Sequence, residues 1–206
     1  MGNRYWALKL TGIIVLVFIL QIVYKPLTDM FVLKSSDVLF RPWILFTSIF
    51  LHGSLGHLLL NGFGLALFGS ILENYIGSRR FLILFMASGL FSGIFSSFFY
   101  NAALGASGAI FGVLGTLTFL RPTMTIWLNF LPMPLWIAAI YWSLENILGI
   151  FIPDNIANLA HLSGLGFGLY YGYSIKQKPS KRIQKKKHNI MLTKEELDSW
   201  EDQYLR

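Results

Sequence analysis

The chain has no cysteine among its 206 residues. That removes disulfide frameworks, thiolate nucleophiles, zinc fingers and iron–sulfur ligand sets at once. Charge is nearly as scarce: 13% of residues are Asp, Glu, Lys or Arg, against 54% hydrophobic and 16% aromatic, where soluble domains carry about 25% charged residues. A soluble globular protein is thereby excluded. What charge exists is unevenly placed, since residues 176–206 hold nine of the 17 Lys and Arg and five of the ten Asp and Glu. No histidine is followed by Glu in the H-E-x-x-H manner, which disfavours a zinc protease. No G-x-G-D aspartate pair lies in an apolar run, which disfavours an aspartyl intramembrane protease. Sequence repeats and the broken, charge-paired helices of a transporter are absent as well. Chemistry therefore falls to Ser, His, Asn or carboxylates, and no metal or cofactor is implied.

What is present is membrane material. A bilayer core about 30 Å thick takes roughly 20 apolar residues per helix, fewer where a helix end is buried in protein or a water cavity. Six stretches qualify: Ala7–Tyr24, Leu55–Tyr75, Phe81–Tyr100, Ser107–Leu120, Leu135–Phe151 and Ile156–Ile175. The first has too long an apolar run, and no small-residue site after it, for a cleavable signal peptide. The loop after it contains Pro26, Pro42 and Trp43 and is expected to fold into the membrane interface. Arg4, Lys9, Arg79, Arg80, Arg121 and the basic tail fall on alternate connections, so both termini are expected to be cytoplasmic and the plasma membrane is the expected location. The fold class is thus all-α and polytopic, with residues 1–175 as a six-helix membrane domain. Residues 176–206 form a basic cytoplasmic tail, in which Thr193-x-x-Glu196 predicts a short amphipathic helix. Its basic run suits lipid headgroups rather than nucleic acid, and His188 there is given no role.

Ionisable or strongly polar groups inside spanning helices are costly, so each is a functional candidate. His52 stands just before the second expected span, His57 lies inside it, and His161 sits about one and a half turns into the sixth. His57 and Asn61 are four apart and share a helix face. The run Gly105-Ala-Ser107-Gly108-Ala-Ile-Phe111 opens the fourth span. Gly105 permits a tight turn, and Ser107 falls in the first helical turn, where unpaired backbone N–H groups can bind a developing oxyanion. Ser107–Leu120 is 14 residues, about 21 Å long, so its start is expected below the outer surface. Glycines at 108, 112 and 115, and again at 164, 168 and 172, form two smooth stripes that allow close helix contact. Such contact would bring the Ser107 hydroxyl to His161, with Phe111 placed to stack on the imidazole.

These residues resemble the rhomboid intramembrane serine proteases. Three blocks carry the likeness: His52-Gly-Ser-Leu-Gly-His57-Leu-Leu-Leu-Asn61, Gly105-Ala-Ser107-Gly108, and Ala160-His161-Leu-Ser-Gly164-x-x-x-Gly168. The resemblance implies a six-helix rhomboid core with Ser107 as nucleophile and His161 as general base. It implies His57, Asn61 and the Ser107 N–H as oxyanion donors, and a supporting part for His52. Trp43 and Thr47 fit the family's first-loop pattern, but Ile44 stands where Arg is expected, with Arg41 three positions earlier. Glu73 fits a structural position at the end of the second span. Glu145 and Asp154 are taken as helix-end and loop groups, since the family manages with a dyad. The implied reaction is hydrolysis of peptide bonds in or near transmembrane segments of membrane-protein substrates, within lipid, with entry past the fifth span. A catalytically silent relative that binds transmembrane clients is the alternative, and oligomeric state is not legible.

Overall fold

The computed structural model describes residues 5–128, 130–152, 156–176 and 194–195. Apart from Lys194 and Glu195, the tail helix expected from Thr193 lies outside them, as do Asp154 and His188. Residues 1–174 and 175–206 form separate compact units, and the architecture below belongs to the first.

The longest apolar runs become the longest helices: α1 (Trp6–Val23), α4 and α5 (Leu55–Gly64 and Ser70–Ile76, joined by a π-helical segment, Leu65–Gly69), α6 (Ser78–Ser97), α7 (Ser107–Leu120), α8 (Leu135–Phe151) and α9 (Asn158–Lys176). Three stretches, Trp6–Val23, Leu55–Ile76 and Ser78–Ser97, are long and apolar enough to cross a membrane, while α7 and α8 are apolar but shorter. Between α1 and α4 the loop folds into α2 (Pro26–Phe31), β1 (Leu33–Lys34) and α3 (Ile44–Thr47), with 3₁₀ turns at Ser35–Asp37 and Ser48–Phe50. β1 pairs antiparallel with β2 (Ala102–Ala103), Leu33 opposite Ala103. The loop is therefore tied to the segment that leads into α7. Arg41 bridges Asp37 at 3.2 Å, a local pairing that holds the loop although Ile44 occupies the expected arginine position.

A helix apolar on every face is buried in protein or faces lipid, and α7 is the one buried in the bundle. Between Gly108 and Thr118 all its residues except Phe111 are buried. Its contact with α6 is made through small residues, Ser88 Oγ donating to the Gly108 and Ala109 carbonyls at 3.2 and 3.3 Å. Contact with α9 is closer still. A Cβ added at Gly164 would collide with the Gly108 carbonyl oxygen, and one at Gly168 with that of Gly112. Thr116 Oγ1 crosses the same seam to the Gly168 carbonyl at 2.9 Å. Two backbones touch here because neither helix carries side chains between them.

The bundle has two chemically distinct ends. At one, Glu73 of α5 accepts from the first free N–H groups of α1, Trp6 at 3.0 Å and Ala7 at 2.9 Å, and from Ser78 Oγ at 2.5 Å. A carboxylate satisfies both the orphan donors and the positive end of the helix dipole. The Arg121 guanidinium lies over the Tyr75 ring, 4.3 Å from its centroid, at this same end. At the other end lie the start of α4, the start of α7 and the start of α9, where the Leu159 N–H reaches Tyr100 Oη at 3.0 Å.

One element is unexpected. Residues between α7 and α8 form an antiparallel ribbon, β3 (Thr125–Leu128) with β4 (Leu131–Pro134). Pro132 and Pro134 argue against a strand, yet they alternate with Leu131 and Met133, so their missing N–H groups fall on the side away from β3. The Leu135 N–H, in register with the paired set, does bond across, to the Met124 carbonyl at 2.8 Å.

Two outcomes follow for stability. Gly168→Val is expected to destabilise by at least the roughly 1–3 kcal/mol typical of overpacking, because backbone must move, whereas Gly166→Ala meets nothing within 4 Å and gains about 0.5–1 kcal/mol in helix propensity. Thermal unfolding in detergent that ranks the two alike contradicts the seam. Glu73→Ala should lower stability by roughly 1–2 kcal/mol through lost capping, and an unchanged melting midpoint would remove that role.

Candidate active site

Ser54 begins the site. Its hydroxyl accepts from the His57 N–H at 3.1 Å and so caps α4, fixing where His57 and Asn61 project. The His57 ring then lies against Gly105, where an added Cβ would sit 2.6 Å from Cε1 and where φ is +119°. Glycine is required there on both counts. The turn it makes delivers Ser107 to the first position of α7, half-buried at the same end of the bundle.

The close α7–α9 seam sets Ser107 Oγ and His161 Nε2 2.7 Å apart, within the range for a nucleophile and its base. Phe111, one turn further along α7, stacks on the imidazole with centroids 4.5 Å apart and planes 6° from parallel. Gly108 has no side chain because Ser92 Cβ of α6 would be 2.6 Å from it. Asn61 is buried, with Nδ2 donating to the His57 carbonyl at 2.9 Å, so one of its two amide donors is engaged with its own helix. His52 is buried, and neither ring nitrogen has a hydrogen-bond partner among the described residues. Its ring meets His57 edge to face at 5.0 Å. Burial, with His57 beside it, pushes the His52 pKa down to about 4, which keeps it neutral at physiological pH. Among the described residues no three His, Asp or Glu converge as a metal site would require.

Two residues that the sequence did not single out join this cluster. Gln21 of α1 pairs with the main chain of His52 in both directions, Oε1 accepting from its N–H at 3.0 Å and Nε2 donating to its carbonyl at 3.2 Å. A polar residue in an apolar span was the available signal. Asn146 of α8 is buried and meets His161 Nδ1 at 2.7 Å. It stands beside Glu145, whose charge drew attention first, yet Glu145 is exposed and accepts from Tyr141 at 2.7 Å.

Comparison with known proteins gives the family. The Rhomboid domain model matches residues 39–178. Rhomboid protein 1, mitochondrial, of Saccharomyces cerevisiae is 31% identical over 76% of this chain and 48% of its own length. The putative rhomboid protease YdcA of Bacillus subtilis is 35% identical over 68% of this chain and 70% of its own. RHOMBOID-like protein 1 of Arabidopsis thaliana is 34% identical over 64% and 34% respectively. The matched part thus spans about a third to a half of some relatives and most of another. A domain match over more than half the chain, on an all-α bundle of apolar helices, makes this a polytopic integral membrane protein, and the chain belongs to the rhomboid family.

Proposed function

We propose that this protein is an intramembrane serine endopeptidase that uses Ser107 and His161. The observation that carries the reading is the 2.7 Å contact between Ser107 Oγ and His161 Nε2 at the half-buried start of an apolar helix. Family members named as rhomboid proteases, YdcA and GluP of Bacillus subtilis, lend it support.

His161 takes the Ser107 proton as Oγ attacks the scissile carbonyl carbon. The carbonyl electron pair moves onto oxygen, and that oxyanion is met by the Ser107 N–H, left unpaired in the first turn of α7, and by donors from His57 and Asn61. Collapse of the intermediate breaks the C–N bond, the proton passing from His161 to the leaving amine. Water then attacks the ester on Ser107, losing its proton to His161, and the enzyme is restored. A cavity of about 30 Å³, lined in part by Ser48, Ser92 and Ser107, adjoins the nucleophile and has room for a water molecule.

The substrate is a transmembrane segment presented from lipid. A helix hides its carbonyls in i→i−4 bonds, so the segment must unwind before attack. The glutamate and arginine contacts lie at the opposite end of the bundle from Ser107, which suits an orientation with the basic ends cytoplasmic and the site toward the outer face. The domain assignment, residues 1–175 the protease domain and 176–206 a basic cytoplasmic tail with a short amphipathic helix, belongs to the same proposal.

Cleavage of a labelled transmembrane substrate in liposomes should fall to background in Ser107→Ala and His161→Ala, and by about 10²–10³ in kcat for Asn61→Ala or His57→Ala as oxyanion donors are lost. Helix-stabilising substitutions around the scissile bond should slow turnover. Full cleavage by either dyad variant overturns the mechanism, and a folded wild type that cleaves no such substrate favours a client-binding role.

A further inference from the structure

A base can take the serine proton only if its facing nitrogen is bare. Neutral imidazole carries one N–H, on Nδ1 or Nε2, and only one of these tautomers is useful to Ser107. Phe111 holds the ring plane but offers no polar atom by which to choose between them.

Asn146 does choose. Its Nδ2 donates to the Trp142 carbonyl at 2.8 Å. A carbonyl only accepts, so the amide cannot be turned round without losing that bond. The Oδ1 atom is therefore the one facing His161 Nδ1 at 2.7 Å. Because Oδ1 also only accepts, Nδ1 must carry the proton. Nε2 is left with its lone pair, and Ser107 Oγ–H donates to it across 2.7 Å. The chain Trp142 carbonyl, Asn146, His161, Ser107 has one consistent set of proton positions, and Asn146 is 6% exposed, which leaves little access for competing water.

We propose that Asn146 is a positioning residue, the third member of a hydrogen-bonded relay that fixes the tautomer and ring angle of His161 from α8. The proposal rests on the Ser107–His161 reading above. A neutral amide suits the location, because a carboxylate at membrane depth carries a large desolvation cost. The same bond persists when His161 is protonated, as both ring nitrogens then donate, so the relay needs no rearrangement during turnover. Since Asn146 stands on α8 and His161 on α9, the base is oriented only while α8 is packed against α9.

The test uses the full-length protein in liposomes with Asn146→Leu, which keeps the volume and removes the acceptor, and Asn146→Asp, which keeps the acceptor. For Asn146→Leu, kcat should fall about 10²-fold, the scale of a misplaced catalytic group, with KM little changed, and Asn146→Asp should recover part of the loss. Nitrogen-15 spectra of histidine-labelled protein give a readout independent of substrate. With His161 assigned by its absence in His161→Ala, the wild type should show Nδ1 protonated and Nε2 bare, and Asn146→Leu a mixture of tautomers. Wild-type kcat in folded Asn146→Leu, or unchanged His161 signals, overturns the proposal. Undiminished cleavage by His161→Ala would instead overturn the dyad on which it rests.

Discussion

Everything at the candidate site depends on two helix backbones touching. Where α7 and α9 cross, Gly108 and Gly112 face Gly164 and Gly168 with no side chain between. In lipid there is little hydrophobic gain from bringing helices together, so van der Waals contact and interhelical hydrogen bonds must do it. Thr116 supplies one such bond across the seam. A wider separation would carry Ser107 away from His161, and a hydroxyl and an imidazole several ångströms apart are two polar groups in an apolar bundle, not a nucleophile and its base.

Burying a polar atom among apolar helices is costly unless it finds a partner, and the pairings made here also aim reactive groups. Ser54 caps α4 and so sets His57. Gln21 replaces a strand-like partner for the main chain of His52. Glu73 does the corresponding work at the opposite end by holding the start of α1.

Much of this was legible in the sequence because membrane helices advertise themselves. Apolar runs located the long helices, and the expected stretch Ser107–Leu120 coincides with α7 because Gly105 and Arg121 bound it sharply. Glycine spacing alone implied that the fourth and sixth helices touch, and the 4.5 Å Phe111–His161 stack follows from that contact. Asn146 and Gln21 were not legible, since an uncharged amide in an apolar helix bonds equally well to its own backbone, and only three-dimensional packing shows otherwise. The β3–β4 ribbon was hidden by its prolines, whose harmless alternation is visible only once the register is known. First-loop structure was anticipated as a folded interface segment, but its pairing with Ala102 and Ala103 joins residues about 70 positions apart and no local pattern encodes it.

The most direct test of the central claim, a serine activated by the histidine packed against it, is peptide mapping by mass spectrometry after reaction with a fluorophosphonate. A single adduct on the peptide carrying Ser107, lost in His161→Ala protein that still unfolds cooperatively, is the result predicted. An adduct on any other serine, or labelling of Ser107 that proceeds equally fast without the imidazole, would contradict it.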